Sequence, residues 1–198
     1  MVKQVEFYFD VGSPYSYLAY KALPAIAAAH GAQIVWRPML LGGVFKATGN
    51  HSPAENPAKS KWMHQDLQRW AAHYGAAFKR NPHFPINTMV LMRGAAGMQL
   101  RGPDLPKYLE AIFHAMWSEP RNLGEAAELA AVLRQAGFDA DAFHALVNDP
   151  EVKDQLRKNT EAAVARGVFG APTFFVGEQM HWGQDRLEFV AAALAEIR

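Results

Sequence analysis

Residues 5–18 read VEFYFDVGSPYSYL, and this stretch decides the fold. Val5, Phe7, Tyr8 and Phe9 are β-branched or aromatic, the composition of a strand. Asp10-Val11-Gly12-Ser13-Pro14 then interrupts the run, with Gly and Pro as punctuation. A helix follows by periodicity: Tyr15, Leu18, Ala19, Ala22, Leu23, Ile26 and Ala27 recur on one face, and Pro14 suits the first turn. Pro24 lies inside that pattern and predicts a kink. Ile34-Val35-Trp36 reads as a second strand. The first forty residues are therefore β-α-β, a unit that favours a parallel strand pair with a right-handed crossover.

Beyond residue 42 the period is helical almost to Gly170. Met63, Leu67, Trp70, Ala71 and Tyr74 make one stripe, closed by Gly75. Leu105, Tyr108, Leu109, Ile112, Phe113, Met116 and Trp117 make another, opened by Asp104 and Pro106. Further helices are expected over 123–136, 140–147 and 150–166, the first and last stopped by Gly137 and Gly167. Stretches 48–57 and 79–88 read as loops. Thr173 to Val176 is a strand, Gly177-Glu178 a hairpin turn, Met180 to Trp182 its partner, and 185–197 a last helix. The expected class is α/β, a thioredoxin-like fold with a large all-helical insertion between its βαβ and ββα halves. Residues 1–40 and 168–198 form the first part, and 41–167 the insertion.

The sequence contains no cysteine. Structural disulfides, thiolate metal sites, a cysteine nucleophile and an internal dithiol couple are all excluded, so any thiol chemistry must use a borrowed thiol. Twenty basic and nineteen acidic side chains, with no long run of either sign, give no footprint for nucleic acid or an anionic membrane. A small neutral or acidic partner is expected instead. The longest apolar stretches are about ten residues, against roughly 20 for a membrane helix, and no signal-type segment precedes Lys3. The expected location is cytoplasmic. Eight histidines show no H-E-x-x-H or comparable spacing, so no metal site is expected.

Three segments carry a likeness to known proteins: FYFDVGSPYSYL at 7–18, FGAPT at 169–173 and WGQDRL at 182–187. Taken in order, with KATGN at 46–50 and DLQRW at 66–70 between them, they make the whole chain resemble the 2-hydroxychromene-2-carboxylate isomerases. These are relatives of the kappa-class glutathione transferases. The resemblance implies a thioredoxin fold with a helical insertion, a homodimer, and glutathione bound with its sulfur beside Ser13. That serine stands where a redox enzyme of the fold carries a cysteine.

Each implied site residue has a structural rival. Ser13 before Pro14 is a common way to cap a helix. The same place, at a helix N-terminus just past a first strand, would lower the pKa of a thiolate laid there, and a hydroxyl can donate to it without forming a disulfide. Pro14 and Tyr15 adjoin that position. Most X-Pro bonds are trans, but Ala171-Pro172 matches the cis-proline site of the fold, where the Ala171 backbone can pair with the cysteinyl part of glutathione. Asp185 with Glu188 has capping-box spacing. By the resemblance, Gln184 and Asp185 hold the γ-glutamyl end, with Trp182 and Gly183 beside them. Asn50 is either a ligand to glutathione or a turn residue after Gly49, and Lys59 either a ligand or a solvated charge.

On the substrate side, Lys46 is a candidate for a carboxylate. Phe84, Phe45, Trp62, Trp182 and Phe169 are candidates for an apolar wall. Phe84 stands where a well-studied branch of the family has tyrosine, and that branch's Asn-Arg pair has no clean counterpart in Pro53-Ala54-Glu55-Asn56. The glutathione half of the motif set is intact and the substrate half altered. Three functions are in play: a glutathione-dependent isomerase of aromatic degradation acting on a small aromatic carboxylate, a kappa-like transferase or peroxidase, and a non-catalytic member of the fold.

Overall fold

The structure, a computed structural model, describes residues 2–197. Strand β1 (Gln4–Phe9) buries Val5, Phe7 and Phe9 in one cluster and Tyr8 in another, as a strand covered on both faces must. It pairs in parallel with β2 (Gln33–Pro38) and antiparallel with β3 (Thr173–Val176), so that Phe7 faces Trp36 on one side and Phe174 on the other. A two-residue turn with Gly177 at φ 58° leads into β4 (Gln179–Trp182), and the sheet runs β2-β1-β3-β4. Helix α1 (Pro14–Ala29) makes the crossover between β1 and β2 and remains one element through Pro24. Its inward face buries Leu18, Ala19, Leu23 and Ala27.

The insertion supplies α2 (Leu41–Thr48), α3 (Pro57–Tyr74), α4 (Met89–Arg101), α5 (Leu105–Trp117), α6 (Ala126–Gln135), α7 (Ala140–Asn148) and α8 (Pro150–Ala165). All seven residues of the α5 stripe are buried. Gly75, Gly137 and Gly167 sit at φ 63°, 74° and 85° just past α3, α6 and α8, the left-handed conformation that glycine adopts without steric penalty. Insertion and sheet share one core. The Phe113 ring lies 6.1 Å from Phe9 and 4.8 Å from Tyr20, and Trp117 Nε1 donates to the Val11 carbonyl at 2.8 Å.

Two helices, α2 and α4, escape the periodicity reading. Helix α4 has no single apolar face, because Leu91, Met92, Gly94, Ala95, Ala96 and Gly97 are all buried among neighbours. Its glycines permit that approach: a Cβ on Gly97 would lie 2.7 Å from Leu146 of α7, and one on Gly94 would overlap the Tyr108 hydroxyl and lie 2.7 Å from the Phe143 ring. Overpacking of this kind costs about 1–3 kcal/mol. Gly94→Ala is therefore expected to lower the midpoint of chemical denaturation by a corresponding amount, and an unchanged midpoint would refute the close packing.

The end of the chain departs from expectation. In place of one helix opened by a capping box, Gly183 turns at φ 101°, a 3-10 turn covers Gln184–Arg186, and α9 runs Leu187–Glu196 without a side-chain cap. The Asp185 carboxylate pairs with Arg186 at 2.7 Å instead of capping. The adjacent guanidinium is a charged partner, stronger than a neutral backbone amide.

Candidate active site

The loop from β1 to α1, the bend before β3, and the end of β4 converge at one end of the strands. Ser13 is buried there and joins two of these segments. Its Oγ accepts from Ser16 N–H at 3.1 Å, which is the cap, and donates to the Ala171 carbonyl at 3.2 Å. The helix cap is therefore present, and the hydroxyl hydrogen is directed at the Ala171 carbonyl. The Ala171-Pro172 peptide is cis, as is Phe84-Pro85. Pro14 has no N–H, and the Ser16 and Tyr17 amides are engaged by Ser13 Oγ and Ser13 O. Tyr15 N–H has no partner among the described residues. An anion beside Ser13 would meet that free amide and the positive end of α1.

A cleft of about 470 Å³ opens over this point, the size of a small-molecule site. Ser13, Pro14, Tyr15, Ala171 and Pro172 form its floor. Asn50 and Lys59 line one side and Trp182, Gly183, Gln184 and Asp185 the other. Asn50 also fastens the floor, because its Nδ2 donates to the Phe169 carbonyl at 2.8 Å while its Oδ1 accepts from His51 N–H at 2.8 Å. Gly183 N–H donates to the Pro172 carbonyl at 2.9 Å, which ties β4 to the same floor.

The far corner of the cleft is acidic. Tyr15 donates to Asp66 at 3.0 Å, and Tyr74 donates to the Gln184 carbonyl at 2.7 Å. Burial, then the Asp66 carboxylate and Asp185, push the Tyr15 hydroxyl well above its ordinary range. Burial, then Asp185 and Glu188, push Tyr74 up to about 12. Both phenols stay protonated and serve as donors. Asp66 and Asp185, the latter already paired with Arg186, thus line a site suited to an ammonium, with Lys59 also on the cleft and available to a carboxylate. Among the described residues no cluster of His, Asp and Glu could hold a metal, and no helix is long and apolar enough to cross a membrane.

Residues 4–195 match the family described as DSBA-like thioredoxin domain. A 2-hydroxychromene-2-carboxylate isomerase of Sphingobium xenophagum is 36% identical over 199 residues, covering 99% of this chain and all of that one. The chain belongs to the 2-hydroxychromene-2-carboxylate isomerase family. A solved structure of such an isomerase, in its selenomethionine form, superposes with a TM-score of 0.87 at 31% identity, over 98% of this chain and 95% of its own. The human glutathione S-transferase kappa 1 is 30% identical over 211 residues, covering 98% of this chain and 92% of its own. An enzyme of the isomerase and kappa-transferase group is thus the coarse identity.

Within this isomerase family frame, the residues expected at the glutathione site all line one cleft. The substrate residues divide. Phe45, Trp62, Phe84 and Trp182 line the cleft, and Trp62 and Trp182 stand about half exposed at 56% and 49%. Phe169 does not line it; the ring lies behind Trp182, centroids 5.0 Å apart. Lys46 lies elsewhere, in a groove between α2, α4 and α8 that also takes Arg93 and Lys153. Lys46 follows the cleft residue Phe45 on α2, and the turn of about 100° per helical residue carries its side chain into the other groove. Sequence reasoning missed Asp66, His51 and Arg186 as cleft residues. Asp66 had a weak signal: it precedes Leu67 of the buried α3 stripe and so stands at the edge of the inward face.

Proposed function

We propose that this protein is a glutathione-dependent cis-trans isomerase acting on 2-hydroxychromene-2-carboxylate, or a close analogue, to give trans-o-hydroxybenzylidenepyruvate. The observation that carries the reading is the Ser13 hydroxyl, buried at the start of α1 in a chain without cysteine, with the unpaired Tyr15 N–H beside it. The acidic corner supports the other end of the ligand, since Asp66 and Asp185 fit the α-ammonium of a γ-glutamyl group. Bound glutathione would supply a thiolate that adds reversibly to the unsaturated keto acid, makes its double bond single for rotation, and leaves unchanged.

The chain's own residues then have distinct tasks. Ser13 Oγ–H and Tyr15 N–H stabilise negative charge on a sulfur, which lowers its pKa. The Ala171 backbone, next to the cis-proline, orients the cysteinyl segment by β-like pairing. Lys59 and Asn50 stabilise charge that develops on the substrate oxygen, a role for which Lys46 lies in the wrong groove. Phe45, Phe84, Trp62 and Trp182 take the flat aromatic body and exclude water. A reducing, cytoplasmic setting fits a chain that relies on free glutathione.

The kappa-like transferase is the second reading, favoured by Phe84 and by the Pro53–Glu55 turn at the cleft mouth, where the isomerase substrate residues are not reproduced. Measuring glutathione during turnover separates the two. Catalytic amounts are expected to suffice and to be recovered unchanged; stoichiometric consumption would overturn the isomerase reading and establish the transferase.

A further inference from the structure

Asp10 is fully buried at the end of β1, and the donors it meets are all uncharged. Its Oδ1 accepts from Gly12 N–H at 2.9 Å, and its Oδ2 from Leu41 N–H at 2.8 Å and the Thr88 hydroxyl at 3.1 Å. Gly12 and Leu41 line the cleft themselves, and Thr88 adjoins it through its loop. Gly12 immediately precedes Ser13. Leu41 begins α2, which bears Phe45 and leads to Asn50, and whose N-cap Leu40 has no side-chain bond to offer. Thr88 ends the loop that carries Phe84. Threonine is a good helix cap, yet at the head of α4 its hydroxyl makes no cap bond and goes to Asp10. Gly12 completes the approach, since a Cβ there would lie 2.7 Å from Thr88 Cγ2.

Stability alone does not account for this carboxyl. Burial without a cation penalises it and pushes its pKa above the ordinary range, against the pull of the Gly12, Leu41 and Thr88 donors. What the group accomplishes is geometric: one side chain holds three segments that are 31 and 78 residues apart in sequence. We propose that Asp10 is a positioning residue that, through Gly12, Leu41 and Thr88, fixes the Ser13 hydroxyl and the Tyr15 amide against the cleft walls and thereby sets the ionisation of a thiol bound there. This rests on the glutathione reading above.

The test is the thiolate absorbance of glutathione bound to the full-length protein, titrated with pH, alongside turnover and melting temperature. Thr88→Val keeps the shape and removes one donor; Thr88→Ser keeps the donor. Asp10→Asn keeps the shape and sets an amide against at least one N–H. Thr88→Val and Asp10→Asn are expected to raise the bound thiol's pKa by about one unit toward its free value and to lower turnover about ten- to a hundredfold, a typical effect of sub-ångström misplacement. Thr88→Ser is expected to restore both. If the wild type binds glutathione without depressing its thiol pKa, the glutathione reading itself fails, and the inference with it. If the wild type depresses it and both variants do so equally, with only the melting temperature lowered, that reading stands and the positioning role is overturned. Should Asp10→Asn not fold, the Thr88 pair decides alone.

Discussion

Ser13→Ala is expected to reduce turnover at neutral pH by about a hundredfold or more while leaving the fold nearly intact. Removing one preorganised donor from a site of developing charge costs about 10²–10³ in rate, roughly 3–4 kcal/mol. Loss of the cap bond to Ser16 N–H costs only about 1 kcal/mol of stability. The two roles of Ser13 thus differ enough in size to be separated in one variant. In the resting protein the Ser13 hydroxyl donates to the Ala171 carbonyl at 3.2 Å, a long bond to a neutral acceptor. A thiolate is a charged acceptor and draws the proton away, freeing that carbonyl for the ligand backbone. Without the hydroxyl, the bound thiol ionises at higher pH, so the deficit should narrow as pH rises through the thiol's new pKa. Turnover that matches wild type at every pH, beside a cap-sized loss of stability, would leave Ser13 a helix cap only.

The β-α-β opening and the ββα close were legible because each depends on local chemistry: β-branched runs, the Ser-Pro start of α1, and Gly177 in a two-residue turn. The α5 stripe was legible because it buries a single face. Helix α4 was not, since burial on all sides erases the period and Gly94 and Gly97 lower its propensity for a reason visible only in Tyr108, Phe143 and Leu146. The start of α9 was misread because Asp185 and Glu188 satisfy a capping pattern, while Arg186 next door takes the carboxylate.

At the site the division is similar. Motif positions found the floor of the cleft, from Ser13 to Pro172. They could not find Asp66, which Tyr15 reaches from 51 residues away, nor Asp10, whose partners lie in three segments. Long-range hydrogen bonds leave little mark on local composition. Lys46 shows the converse error: a residue close to the motif in sequence, turned by α2 into another groove.

Ser13→Cys is expected to convert the site into a trap for glutathione. The introduced sulfur would sit at the N-terminus of α1 beside the free Tyr15 N–H, where a thiol ionises more readily than in water. Offered oxidised glutathione, the introduced thiolate attacks one sulfur of the disulfide, forms a mixed disulfide and expels the other glutathione as thiolate. A dithiol enzyme would resolve that adduct with a second cysteine. This chain has none, so the adduct should persist until an external thiol attacks it. Intact-mass measurement should show one added glutathionyl unit, turnover should fall to background, and reductant should reverse the mass change. The comparison that decides the matter is rate: under the proposed function, in which the cleft binds the tripeptide and the helix start activates the sulfur, the native variant should capture glutathione faster than the same variant unfolded in urea. Equal rates would mean that the fold neither recognises glutathione nor activates a thiol, and would remove the basis for a borrowed thiolate. A faster native rate would explain why a serine, which can polarise that sulfur without bonding to it, suits a catalyst that must release its glutathione after each turnover.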